Sequence, residues 1–174
     1  MYPTVSIVIP CYNEEATIGL VLAALYQQTY PRDRLEVVIA DGRSSDRTLD
    51  KISEFQNLHP DLRIAVVDHP QRIIPSAVNT AIAASTGEVI VRLDGHSVPD
   101  ASYVEVSVRD LLDGKGDNVG GIWLVQPGAE SWLGRSFAVA GAHPMGVGDA
   151  MYRYSCPAHE VAKGPCGAFS SSSF

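Results

Sequence analysis

The chain has 174 residues, 45% of them hydrophobic and 19% charged, with 20 acidic and 13 basic side chains and a net charge of −7. That length supports one domain with a real core. The acidic balance excludes a general nucleic-acid binder, which carries a basic face. No apolar run approaches the roughly 20 residues of a membrane span. Nor does a basic segment followed by an apolar one open the chain, so no signal peptide is expected. Cys11, Cys156 and Cys166 are odd in number and widely spread, which suits a reducing cytosol better than a disulfide framework.

Val5 to Pro10, VSIVIP, is an apolar β-branched run and reads as a buried strand. Asn13 is a candidate N-cap, with Glu14 and Glu15 in the first turn of the helix that follows. Ile18, Val21, Leu22 and Leu25 recur at helical spacing. Leu35 to Ala40 is the next strand, ending in Asp41-Gly42-Arg43-Ser44-Ser45-Asp46. Ser44 or Ser45 can cap a helix whose apolar face is Leu49, Ile52 and Phe55. Leu62 to Val67 makes a third strand, ending at Asp68 and His69. Arg72 to Ser76 reads as a loop and Ser76 to Ser85 as a helix, with Pro75 suited to the first turn. Val89 to Leu93 is the fourth strand. It breaks at Asp94, Gly95 and His96, and Pro99 prevents its continuation.

Beyond Pro99 the expectations are a helix capped by Asp100 and reaching Leu112, a strand over Val119–Val125 and a helix over Ser131–Ala140. Cys156, His159 and Cys166 lack a fourth ligand and make a poor zinc site. Residues 170–174 read as a frayed tail behind a domain over 1–169.

Strands alternating with helices predict an α/β fold: a mostly parallel sheet with helices on both faces. Right-handed crossovers place all the strand C-termini on one edge. That edge collects Pro10 to Glu15, Asp41 to Asp46, Asp68 with His69, and Asp94 to His96. In open α/β sheets ligands bind there. Each acidic loop by itself also suits a solvated turn, Asp94-Gly95 included. Their convergence favours a metal with an anionic ligand.

Assembled in this order, the stretches VSIVIPCYNEEATI, ADGRSSDRT and NTAIAASTGEVIVRLDGHSVP resemble the family 2 glycosyltransferases of GT-A fold, most of all the bacterial succinoglycan and exopolysaccharide enzymes. GVGDAMYRYS and GPCGAF extend the resemblance more loosely, to about Phe169. It implies a GT-A, Rossmann-like, nucleotide-diphospho-sugar transferase fold. The implied activity is inverting transfer from a UDP-sugar to a glycan or lipid-linked acceptor in polysaccharide synthesis. It also implies a nucleotide-sugar site of Pro10, Tyr12, Glu14, Asp41 and Asp94. Asp41 is cast there as the acceptor of the uracil N3–H. Asp94 faces the ribose and a divalent metal, Mn²⁺ or Mg²⁺, and His96 stands where a second metal-binding aspartate is usual. The family's base lies beyond the segment matched by GPCGAF, so the chain is expected to be the donor-binding part of a longer enzyme and a poor catalyst by itself. Asp149 is the candidate base among the residues present. The expected location is the cytoplasm, with peripheral membrane association for the full-length protein. Competing readings are a nucleotidyltransferase, disfavoured because the first loop, PCYNEE, is acidic and lacks glycine, and a non-catalytic nucleotide-binding module. A nicotinamide dehydrogenase is disfavoured because no G-x-G-x-x-G follows the first strand.

Overall fold

In a computed structural model, the structure describes residues 2–121, 139 and 143, and the backbone of 168–170. The chain divides into two units, one of Met1–Val119 with Cys166–Phe174 and one of Gly120–Pro165. In the first unit the elements are β1 (Val5–Cys11), α1 (Ile18–Tyr26), β2 (Leu35–Asp41), α2 (Thr48–Leu58), β3 (Arg63–Asp68), α3 (Ile74–Ala83), β4 (Val89–Arg92), α4 (Tyr103–Leu112), β5 (Asn118–Val119) and β6 (Ala168–Ser170). A short 3-10 turn, Arg32–Arg34, leads into β2.

The sheet order is β3-β2-β1-β4-β6-β5. β1 to β4 run parallel, with Val5 beside both Leu35 and Val89. β6 closes against β4 and β5 in antiparallel sense. The mostly parallel sheet read from the sequence is therefore present, and its four parallel strands end on one edge.

Alternation along the strands divides the core into two layers. Val5, Ile7 and Ile9 of β1 and Val37 and Ile39 of β2 face α1, α2 and α4 through Leu22, Leu25, Ile52, Val104 and Val108. Val8, Val38, Ala40 and Ile90 face α3. That helix presents Ala77 and Ala81, small enough to bring it close to the sheet.

Several boundaries differ from the sequence reading. Asn13 does not cap α1: its φ is 54° and its side-chain oxygen accepts the Ser45 N–H at 2.8 Å. α1 begins four residues later, leaving Glu14 and Glu15 in the loop. Neither Ser44 nor Ser45 caps α2. The N-cap is Arg47, and Asp46 just before it accepts the Thr48 N–H and hydroxyl at 3.0 and 2.5 Å. β3 is the edge strand, largely exposed along its length. α3 starts at Ile74, before the expected Ser76. Asp100 organises the turn ahead of α4 by accepting the Ser102 N–H at 2.9 Å, and α4 itself starts at Tyr103. The strand expected over Val119–Val125 is observed as Asn118–Val119, and residues 122–125 lie outside the described residues. The helix expected over Ser131–Ala140 is described at Val139 alone, which is helical. Cys156, His159 and Asp149 lie outside the described residues. Ser170, expected in the tail, belongs to β6 opposite Val89.

Candidate functional site

The C-terminal edge of the parallel strands surrounds a cavity of about 350 Å³, lined among others by Pro10, Tyr12, Glu14, Asp94 and His96. Its volume lies at the lower end of the range for small-molecule sites. Five of the expected site residues thus meet in one place, although 80 positions separate Glu14 from Asp94 in the chain.

Two loops are tied together to build it. The Glu14 N–H donates to Thr48 Oγ1 at 2.8 Å, and the Glu15 N–H to Asp46 Oδ2 at 3.1 Å. The Asn13 N–H donates to Ser44 Oγ at 2.9 Å. The loop after β1 is thereby fixed to the loop after β2. Among the described residues, three non-glycine residues have positive φ: Asn13, Arg43 and Arg72, in the loops after β1, β2 and β3. Such strain persists where the surrounding contacts over-determine it, and it collects at ligand sites.

On one side of the cavity His96, 61% exposed, places Nδ1 3.2 Å from Glu14 Oε1. An ionised carboxylate only accepts, so this contact suits a ring that donates from Nδ1, the tautomer whose Nε2 has a lone pair. A carboxylate behind a histidine in this manner orients the ring for a cation. The Thr17 hydroxyl lies 2.6 Å from Glu14 Oε2 and 3.1 Å from the Gly95 carbonyl. Gly95 leaves little room for a side chain: a Cβ there would stand 3.1 Å from Glu14 Cγ, which would have to shift by a few tenths of an ångström. Asp94 Oδ1 accepts from the Arg92 guanidinium at 3.1 Å.

On the other side the Arg72 guanidinium lies 4.5 Å from the Tyr12 ring centroid, and its Nε–H donates to the Gly42 carbonyl at 2.9 Å. Beneath them Asp41 is 4% exposed. Its two carboxylate oxygens accept the Ser44 N–H at 3.0 Å and the Ser44 hydroxyl at 2.6 Å. Asp41 is thus nearly buried under this side of the cavity, its carboxylate held by Ser44.

Cys11 ends β1 and also lines the cavity, 5% exposed. Burial pushes its thiol up to about 12, and the negative charges of Asp41, Glu14 and Asp46 add to the effect. The thiolate is the reactive form, so the free thiol of this cysteine is a poor nucleophile near neutral pH. We expect iodoacetamide at pH 8 to leave Cys11 unmodified in the native protein and to modify it after denaturation, read by peptide mass mapping. Native labelling at the rate of a free thiol would contradict the assignment.

Residues 6–171 match the family described as glycosyl transferase family 2. The chain belongs to that family. It is 35% identical over 136 residues to the probable glycosyltransferase YdaM of Bacillus subtilis (strain 168), covering 76% of this chain and 32% of that protein. It is 31% identical over 160 residues to the succinoglycan biosynthesis protein ExoA of Rhizobium meliloti (strain 1021), covering 91% of this chain and 47% of that protein. Among solved structures, the mannosyltransferase PcManGT from Pyrobaculum calidifontis, in complex with GDP-Man and Mn²⁺, superposes with a TM-score of 0.66 at 34% identity. That match covers 70% of this chain and 36% of the mannosyltransferase chain. The chain spans about a third to a half of the length of the relatives it matches.

Against this family background the donor atoms for a metal can be judged. Among the described residues no three His, Cys, Asp or Glu side chains converge into a cation site of their own. Asp94 and His96 offer one carboxylate and one imidazole. A divalent ion that also takes diphosphate oxygens and water needs only one or two protein ligands. The pair fits such an ion with a nucleotide bound. It does not form an all-protein cage.

Gly42 and His69, read from the sequence as lying on this edge, line the cavity too, and so do Arg72 and Arg92, which the sequence reading left out. For Arg92 a signal was available: it lies two positions before Asp94 on a strand, and so on the same face.

Proposed function

We propose that the chain is the donor-binding part of a glycosyltransferase that takes its sugar from a nucleoside diphosphate sugar. The acceptor class is a glycan or a lipid-linked glycan, transfer inverts the anomeric centre, and the setting is cytoplasmic polysaccharide synthesis. The observation that carries this reading is the meeting of Tyr12, Glu14, Asp94 and His96 in one cavity at the edge where the parallel strands end.

Each residue then has a part. Tyr12 offers an aromatic face bordering the nucleoside. Asp41, held by Ser44, keeps lone pairs for an N–H of the base, which favours uracil through N3–H. Asp94 faces the ribose and the cation, and His96 presents Nε2 to that cation while Glu14 holds Nδ1. A bound Mn²⁺ or Mg²⁺ supplies Lewis-acid neutralisation of the leaving diphosphate.

The test is calorimetry of the chain with UDP, GDP and ADP, in Mn²⁺ and in chelator. Tightest binding of UDP, strengthened by Mn²⁺, is the expected result. Absence of binding by all three nucleotides in both buffers would overturn the reading. A second variant examines the metal alone. In His96→Asp a carboxylate replaces a neutral ligand and faces Glu14, so cation-free binding should weaken while Mn²⁺-supported binding strengthens. The ratio of the two affinities should rise by about tenfold, roughly one charge's worth of interaction. An unchanged ratio would remove His96 from the metal site.

A further inference from the structure

Arg92 is the least explained charge in the cavity. It ends β4 beside Val8 of β1, on the face of the sheet that α3 covers. Its side chain is about a quarter exposed and lines the cavity next to Asp94. One terminal nitrogen donates to Asp94 Oδ1 at 3.1 Å, while Nε is buried and has no hydrogen-bond partner. An arginine serving only to pin a carboxylate gains most from two parallel bonds to it. Among the described residues this one makes one hydrogen bond, to Asp94, and a buried N–H is left unmatched, which is rare in a settled structure.

The other cavity arginine differs. Arg72 donates to the carbonyls of Gly42 and Arg43 and covers the Tyr12 ring. Its charge is engaged at the nucleoside side.

A two-aspartate motif would carry two negative charges at the Asp94 end, suited to gripping a divalent cation that in turn grips phosphate. Here one position is an imidazole in place of a second aspartate, and Arg92 pairs with the remaining carboxylate. Even with Glu14 beside His96, the group carries less negative charge than it would with a second aspartate. Such a site attracts a cation less and repels a phosphate less. A guanidinium fork also matches phosphate oxygens in geometry. Ile74 and Ala77, in the first turn of α3, line the same cavity, so the positive end of that helix adds to the field.

We propose that Arg92 binds the diphosphate of the donor directly, and that this chain holds that diphosphate to a measurable degree without a divalent cation. The inference rests on the nucleotide-binding role proposed above.

The experiment compares uridine and UDP by calorimetry in chelator and in Mn²⁺, for the parent, Arg92→Gln and Arg92→Lys. In chelator the parent should bind UDP at least tenfold more tightly than uridine. Arg92→Gln should lose about 10- to 150-fold in UDP affinity, the range for a charge-assisted hydrogen bond, with uridine unchanged. Arg92→Lys, which keeps the charge and loses the fork, should fall between. Inorganic pyrophosphate should compete with UDP on the parent in chelator, a measurement independent of whether any variant folds.

Three results would overturn the inference and leave the nucleotide reading intact: UDP no tighter than uridine in chelator but tighter in Mn²⁺; a loss in Arg92→Gln seen only with Mn²⁺, which would make Arg92 a positioning residue for Asp94; or no competition by pyrophosphate. Failure of the parent to bind uridine or UDP in either buffer would overturn both.

Discussion

Replacing Glu36 with alanine should cost about 3 kcal/mol of folding stability, the scale for removing one partner from a buried charged network. Glu36 is 7% exposed and is the second residue of strand β2. Its Oε1 accepts from the Ser6 hydroxyl at 2.5 Å, the Thr86 N–H at 2.6 Å and the Thr86 hydroxyl at 2.9 Å. Ser6 Oγ in turn accepts the Gly87 N–H at 2.8 Å. The carboxylate thereby joins the starts of β1, β2 and β4. Truncation leaves the Thr86 N–H and a buried hydroxyl unmatched. The Arg63 contact at 3.5 Å adds little, because that arginine is exposed. For a domain of this size the melting temperature should drop by about 6–12 °C.

The same residue sets a pH dependence. Burial pushes the Glu36 carboxyl upward, but the hydrogen bonds from Ser6 and Thr86 and the charge of Arg63 outweigh it, so the folded value lies below the ordinary one. A carboxyl depressed on folding contributes stability that is complete above its unfolded value, about 4.3, and is lost as pH falls through the folded value. Glu36→Gln keeps an acceptor oxygen and should lose only about 1 kcal/mol at pH 7. Below pH 5 its stability should fall less steeply than that of the parent. Parallel curves for the two proteins from pH 6 to pH 3 would show that Glu36 does not carry this linkage. Because the network lies at the strand starts, opposite the cavity, nucleotide affinity per folded molecule should stay unchanged.

The second large effect belongs to Asp41. Asp41→Ala should weaken UDP binding about 5- to 150-fold, the equivalent of roughly 1–3 kcal/mol for a lost hydrogen bond at a partly desolvated site. Asp41 also holds Ser44, and Ser44 Oγ holds the Asn13 N–H, so the loss has two sources. Ser44→Ala separates them. It removes the hydroxyl link between the two loops and leaves the carboxylate in place. If Asp41 contacts the base, Ser44→Ala should lose only a few-fold. Equal losses would assign Asp41 to loop support, and an Asp41→Ala variant with parental affinity would remove it from the site.

Much of this architecture is written locally in the chain. VSIVIP, LEVVIA and VIVR are β-branched runs bounded by polar or turn-forming residues, and each is a parallel strand where the residues suggest it. Asp94 and His96 were legible for the same reason, being two positions apart beyond a strand. What escaped were pairings across the chain. Asn13 has the chemistry of a helix cap, but a residue 32 positions away, Ser45, claims its side chain. Ser44 has it too, and Asp41 takes its hydroxyl. Arg72 meets Tyr12, and Thr17 meets Gly95, only after the sheet has formed. The exposure of β3 follows from its place at the end of the strand order, which its own residues do not encode.

The pairing of β5 with β6 has a consequence for how such a protein can vary. The chain leaves the sheet at Val119 and re-enters at Ala168, and those two residues are direct neighbours in the antiparallel ladder. Everything from residue 120 to 167 therefore hangs from two adjacent points. The entropy of closing such an excursion grows only with the logarithm of its length, so a doubling costs about 0.6 kcal/mol. As far as chain closure is concerned, the Val119–Ala168 pairing therefore constrains the length of the connection between β5 and β6 only weakly.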